Sequence, residues 1–193
     1  MDSCKELKEH INRFVKINDT DFEQIRSYLI PISVKKKQNI HEAGKICKSN
    51  FFVQKGCLRM FFINDKGVEQ TVQFALKNWW LSDYTSFSSQ KTSLFYIQAV
   101  EKSEVWAINF SAQEKMLQQI PQMERYFRLI HQRAHAASQY RLKGLFSQTR
   151  EEVYRQFVKQ YPEFVQRIPQ YLLASFLGFT PEYLSELRAK KIS

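Results

Sequence analysis

The spacing of apolar residues changes period as the chain is read from its N-terminus. Leu7, Ile11, Phe14 and Val15 recur at steps of three and four, which predicts helix within residues 2–29. A second helical stretch from Asp21 carries Phe22, Ile25 and Leu29, with Asp19 or Thr20 as the expected cap. From Ile32 the pattern becomes short β-type runs broken by turn residues. Phe51 to Gln54, Lys55-Gly56, Cys57 to Ile63, Asn64 to Gly67 and Glu69 to Phe74 read as consecutive antiparallel strands and tight turns, and Leu94 to Ala99 and Val105 to Ile108 add two more strands. Short strands at regular spacing predict a sandwich or barrel. After Asn109 the helical period returns, interrupted at Pro121.

Inside this last helical region Met123, Phe127, Ile130, Ala134, Ala137, Arg141 and Gly144 alternate steps of four and three, the spacing of a coiled-coil seam. The small residues would let two helix axes approach closely, so these positions are the expected seam of a homodimer. The same pattern also suits a helix packed on its own domain. Thr149-Arg-Glu-Glu152 has the form of a capping box, starting a helix that runs to about Gln160, where Tyr161-Pro162 breaks it. Lys143 to Gln148 is then the expected hinge. The predicted organisation is a β-rich domain over residues 1–121, a long helix and hinge over 122–148, and an all-α domain over 149–193.

Gln170 to Arg188 carries the most specific local signal. Ala174 is small where two short helices would touch, and Gly178 sits at the turn between them, where a left-handed backbone is easily adopted. Leu173, Leu177, Phe179, Leu184 and Leu187 fall on the inner faces. Thr180 can cap the second helix with Pro181 at its first position. This is the pattern of a helix-turn-helix, whose second helix would enter a DNA major groove by its N-terminal end. The residues expected to meet DNA are Thr180, Pro181, Glu182, Ser185, Glu186 and Arg188.

Composition narrows the choice of function. The 193 residues are 44% hydrophobic and 15% aromatic, far from the signature of disorder. Net charge is +10, which suits a polyanionic partner; residues 122–148 hold 5 basic residues against 1 acidic, the densest excess. Cys4, Cys47 and Cys57 have no metal-binding spacing, and His131 and His135 lack a carboxylate in register, so they read as a solvated helix face. The charged N-terminus does not resemble a signal peptide and no apolar run reaches membrane-spanning length, which predicts a cytoplasmic protein. No nucleophile and base pair, phosphate-binding loop or metal cluster is visible, so the chain does not read as an enzyme.

With Tyr161-Pro162-Glu163, Ile168-Pro169-Gln170 and the run Ala174 to Ser185 in hand, the chain resembles the Crp/Fnr family over essentially its whole length, and most closely its short Bacteroidetes-type members. The resemblance implies an α+β fold: an N-terminal double-stranded β-helix, that is, a jelly roll of the cyclic-nucleotide-binding type, then a long dimerisation helix and a C-terminal helix-turn-helix. It further implies a homodimer, double-stranded promoter DNA at an inverted repeat, and contact with RNA polymerase.

The sequence departs from the family in two places. Family members that bind cyclic nucleotide use a Gly-Glu pair and a downstream Arg. Here Ser82-Asp83 and Ser93 stand in those places, with Tyr84, Thr85 and Ser86 completing the candidate effector pocket. Without the guanidinium a cyclic phosphate loses a bidentate charge-assisted contact, and Lys91 is a poor substitute, so cyclic AMP is not the expected ligand and no cofactor is assigned. Trp79, Trp80, Tyr84 and Phe87 could favour an apolar effector, although plain core is the simpler reading. In the second helix the family presents Arg, Glu and a second Arg to the groove, and here Pro181, Glu182 and Glu186 stand in those places with Arg188 two residues further on; the sequence ends at Ser193 with no segment for a following β-hairpin wing. The alternative reading is a sensor or protein-interaction module that has lost DNA binding.

Overall fold

The computed structural model describes residues 5–189. Helices α1 (Lys5–Asn12) and α2 (Asp19–Ser27) lead into β1 (Ile30–Val34), β2 (Asn39–His41), β3 (Ser49–Lys55), β4 (Cys57–Ile63), β5 (Glu69–Leu76) and β6 (Trp80–Leu81). A short helix α3 (Tyr84–Ser89) precedes β7 (Tyr96–Ala99) and β8 (Ser103–Asn109). Six helices complete the chain: α4 (Phe110–Gln119), α5 (Gln122–Ser147), α6 (Arg150–Gln160), α7 (Pro162–Arg167), α8 (Gln170–Leu177) and α9 (Pro181–Ala189).

The strands form two antiparallel four-stranded sheets, one in the order β1-β8-β3-β6 and the other β2-β7-β4-β5. Their facing sides enclose Val34, Phe51, Val53, Leu58, Ala75, Leu81, Ile97, Ala99, Val105 and Ala107. The fold class is thus the α+β jelly roll expected, with one correction to its wiring. Lys55-Gly56 is not a hairpin turn, because β3 and β4 belong to different sheets. Gly56 takes φ +96°, and a Cβ there would stand 2.3 Å from Ser103 Oγ, so the chain crosses between sheets at a point only glycine fits. Asn64 to Gly67 is the true hairpin, joining β4 to β5.

Helices cover both outer faces. On the β1-β8-β3-β6 sheet, Phe52, Trp80, Trp106 and Ile108 pack with α1, α2, α4 and the first turns of α5. Within that layer Trp80 Nε1 donates to Tyr126 Oη at 2.8 Å, and Tyr126 Oη lies 2.9 Å from His10 Nδ1. The tyrosine accepts from tryptophan and pairs with an imidazole whose pKa is pulled down to about 4 by burial, followed by Arg13 and Arg133.

On the other sheet, Cys57, Phe74 and Val100 share one core with Tyr154, Phe164, Ile168, Leu172, Leu173 and Leu177 of α6 to α8. The C-terminal helices are therefore seated on the roll. Because β5 is an edge strand, its backbone needs partners. Thr71 N–H donates to Ser175 Oγ, which donates in turn to the Glu69 carbonyl.

Local signals account for most helix ends. Asn109 caps α4. Thr149 and Glu152 form the complete capping box at α6. Asn18, rather than Asp19 or Thr20, caps α2, accepting from Asp21 N–H. The expected hinge also contracts, since α5 stays helical through Ser147 and only Gln148 and Thr149 separate it from α6. No helix among the described residues is long and apolar enough to cross a membrane.

Candidate functional site

Ser82 and Asp83 follow β6, and Asp83 caps α3 by accepting from Thr85 and Ser86 N–H at 3.1 and 3.3 Å. The polar groups of this cassette are spent on the fold itself. Ser82 Oγ donates to the Ser49 carbonyl, Ser86 Oγ accepts from Cys47 N–H and donates to the Lys91 carbonyl, and Ser93 Oγ accepts from Phe95 N–H. Tyr84 Oη donates to Asn50, whose amide donates to Gln113. Ser82, Asp83, Ser86 and Ser93 are buried, Tyr84 is half-buried and Thr85 is exposed.

The cleft nearest this cassette is lined by other residues. It has a volume of about 620 Å³, with walls from Asn39 to Glu42, Lys45 to Ser49 and Phe51, and none of the six predicted residues is among them. His41 lies in that wall, buried, its Nε2 without a hydrogen-bond partner and its pKa lowered, chiefly by burial. The aromatic residues divide: Trp80 and Phe87 are core, Trp79 is half exposed, and Tyr84 meets His131 edge-on at 4.6 Å. His131, read as solvated, is instead half-buried beside Tyr84 and Phe127. Among the described residues no group of histidine, cysteine and carboxylate side chains is arranged to hold a metal ion, and Cys47 and Cys57 are buried free thiols; Cys4 lies outside the described residues.

The predicted seam is likewise redistributed. Met123 and Phe127 are buried in the chain's own core and Ile130 packs against it, because the first three turns of α5 lie on the roll. Arg141 also turns inward. It donates to the Val72 and Phe176 carbonyls, both at 2.6 Å, and its guanidinium lies 4.0 Å from the Phe176 ring centre. A cation in an otherwise apolar series was the signal that this position had a different task. Ala134 and Ala137 remain exposed, and further along the helix so do Tyr140, Leu142, Leu145 and Phe146.

In the C-terminal helices each inner-face residue is where its spacing put it. Leu173, Ala174, Leu177, Phe179, Leu184 and Leu187 are buried, Gly178 takes φ +76°, and Thr180 Oγ1 accepts from Tyr183 N–H. Thr180, Pro181, Glu182, Ser185, Glu186 and Arg188 are all exposed together on α9 and the turn before it. The face thus presents two carboxylates and one guanidinium.

Two arginines and a lysine cluster drew no attention in the sequence. Arg59 is only 3% exposed, held by Gln98 and Glu69 and lying over the Phe61 ring. Arg167 pairs with Glu101 of the β7–β8 turn. Lys35, Lys36 and Lys37 stand exposed in the β1–β2 turn; three consecutive lysines between strands were the available signal.

Comparison with known proteins follows the same outline. Residues 31–120 match the family model of the cyclic nucleotide-binding domain. FixK2 from Bradyrhizobium japonicum superposes with a TM-score of 0.73 at 16% identity, covering 84% of this chain and 83% of its own. A putative transcriptional regulator of the Crp/Fnr family from Eubacterium rectale gives 0.67 at 18% identity, covering 91% and 84%. The c-di-GMP responsive global regulator CLP of Xanthomonas campestris gives 0.73 at 11% identity, covering 90% and 91%. Comparison with curated protein sequences finds no match. At these identities the likeness is one of fold: residues 31–120 carry the pattern of a cyclic nucleotide-binding domain, and the chain as a whole has the architecture of solved Crp/Fnr-type regulators.

Proposed function

We propose that the protein is a DNA-binding transcription regulator of the Crp/Fnr type that does not respond to cyclic AMP. The observation that carries the first half is the exposed surface of Thr180, Pro181, Glu182, Ser185, Glu186 and Arg188 on a capped helix whose inner face is fully used in packing. The second half rests on the cassette, where Ser82 and Ser93 replace the expected ligand groups and are already bonded within the fold. The organisation proposed is a sensor roll over 1–121, a linking helix over 122–148 and DNA-binding helices over 149–193. The regulator acts as a homodimer at an inverted repeat in promoter DNA, with RNA polymerase as the further partner. Exposed Tyr140, Leu142, Leu145 and Phe146 supply the apolar surface for a second copy along α5.

Fluorescence anisotropy against DNA upstream of its own gene, with and without about millimolar cyclic AMP, tests this reading; at ionic strengths spanning about 50 to 200 mM the affinity should be sequence-selective, steeply salt-dependent and indifferent to the nucleotide. Equal affinity for random duplex would refute it. One observation favours a second reading, a protein-interaction module without DNA binding: Glu182 and Glu186 are both exposed where phosphate would approach. Under that reading Glu186→Arg creates selective DNA binding where the native chain has none.

A further inference from the structure

Met123, Phe127, Ile130 and Arg141 commit one side of α5 to the chain's own roll and C-terminal helices, so a second copy must meet another side. One residue on from the expected seam, about 100° round the helix, runs the series His131, His135, Ser138, Leu142 and Leu145, again at steps of four and three. His131 is half-buried and the other four are exposed, Leu142 and Leu145 by 54% and 49%. None of the five carries a permanent charge. The other exposed stripe, Ala136, Tyr140 and Lys143, would bring a cation against its own copy.

The same series sets the direction of pairing. Run parallel, two α5 helices place Leu142 and Leu145 each against its counterpart and form an apolar end; run antiparallel, the leucines would face His135 and His131. Parallel helices also suit a two-fold operator. The α8–α9 turn, tied to Arg141 through the Phe176 carbonyl, then lies towards the same end of both helices.

Parallel pairing brings four imidazoles together, two from each chain. His131 and His135 stand one turn apart on one face, with Cβ atoms about 5 to 6 Å apart, the spacing at which two helical histidines hold one ion. Among the described residues neither ring has a hydrogen-bond or ion-pair partner. His131 is nonetheless oriented, edge-on to Tyr84 at 4.6 Å and stacked on Phe127 at 6.2 Å. Neighbouring guanidiniums are engaged elsewhere: Arg128 donates to Gln132, and Arg133 lies 4.4 Å from the Phe14 ring centre. One chain supplies too few ligands, whereas two supply the four of a closed tetrahedral site.

The geometry points to a transition-metal site shared between two copies: His131 and His135 of each chain bind one zinc-type divalent ion across the α5 seam and lock the dimer. It rests on the homodimer reading above and gives that dimer an effector. Ligands that are all imidazole nitrogen select zinc, copper or nickel over calcium or magnesium. The ion stabilises the dimer because only the paired chains hold all four ligands.

The test uses the tag-free full chain, stripped with a chelator, and zinc chloride alone as the probe. Calorimetric titration should give one zinc per two chains, and sedimentation equilibrium should show the dimer dissociation constant falling about tenfold or more in excess zinc. Cobalt(II) in its place should give the intense visible absorption of a tetrahedral ion rather than the faint spectrum of a six-coordinate one. His135→Ala, at an exposed position, should keep the metal-free dimer constant and thermal unfolding while losing the zinc response and the cobalt spectrum. A dimer indifferent to zinc, one zinc per chain, or a zinc response that survives His135→Ala overturns the site and leaves the dimer standing. A chain that stays monomeric up to about millimolar concentration, with and without zinc, removes the dimer and the site together.

Discussion

The two helical layers of this molecule are attached to its two sheets by different physics. Over the β1-β8-β3-β6 sheet, α1, α2, α4 and the start of α5 are joined by a continuous apolar core, with one enclosed polar chain of Trp80, Tyr126 and His10. Over the β2-β7-β4-β5 sheet the C-terminal helices also bury apolar groups, yet directional bonds fix where they sit. Ser175 and Arg141 satisfy the free edge of β5, and Arg167 grips the β7–β8 turn. An apolar contact tolerates sliding, whereas an edge strand's backbone groups accept partners at fixed points only. The first layer is thus part of the roll's own stability, and the second is a seated unit that a few side chains hold in register.

The contrast can be tested by substitution, taking the largest effect first. Met123→Ala empties a fully buried position in the first layer and should cost about 2 to 5 kcal/mol, read as a shift of the whole urea transition. A loss confined to one part of the transition would break the claim that this layer is continuous with the roll. Arg141→Met keeps the length of the side chain but strands the Val72 and Phe176 carbonyls and should cost about 2 to 3 kcal/mol. Hydrogen exchange should then quicken in α6 to α9 and leave the first layer protected; uniform quickening would show that the two layers are not separable.

The third prediction concerns pH. Folding lowers the His10 pKa from the ordinary 6.5 to about 4, so the unfolded chain binds the extra proton first. Stability from this group is complete above pH 6.5 and falls as pH drops from there toward 4. With part of the shift screened by solvent, the loss is about 1 to 2 kcal/mol. Thermal unfolding of His10→Gln between pH 7 and 4 should show a shallower decline than the native chain; parallel curves would remove His10 from the account. Smallest is Arg167→Gln, since the Arg167–Glu101 pair is partly exposed: about 0 to 1 kcal/mol, shrinking further at high salt, where a large salt-independent loss would mean that this grip is stronger than a surface ion pair.

Much of the fold was legible because its signals are local. The capping box at Thr149, the turn at Gly178, the cap at Thr180 and the inner-face leucines of α8 and α9 depend on neighbours within a few residues, and the structure places each where spacing put it. Short β-type runs between turn residues announced strands β3, β4 and β5 for the same reason. It did not announce which strands pair. Lys55-Gly56 looked like a hairpin because a hairpin and a sheet crossing both need a glycine with positive φ, and the clash that demands it here comes from Ser103, far along the chain.

The seam and the cassette show the same gap in what spacing can tell. Periodicity shows that Met123, Phe127 and Ile130 share one side of a helix, but not whether that side meets a second chain or the helix's own domain. Ser82, Asp83, Ser86 and Ser93 have the composition of a ligand-binding loop, yet their hydroxyl and carboxylate groups are consumed by backbone partners, at Ser49, Cys47, Lys91 and α3, that no spacing rule reveals. By itself the sequence determined the main element types, the caps at Thr149 and Thr180 and the outward face of α9, since these follow from backbone preference and amphipathic period. Tertiary structure alone decided the crossing at Gly56 and the seating of α8 on the edge of β5. Each of these joins residues that only the closed sheet brings within reach.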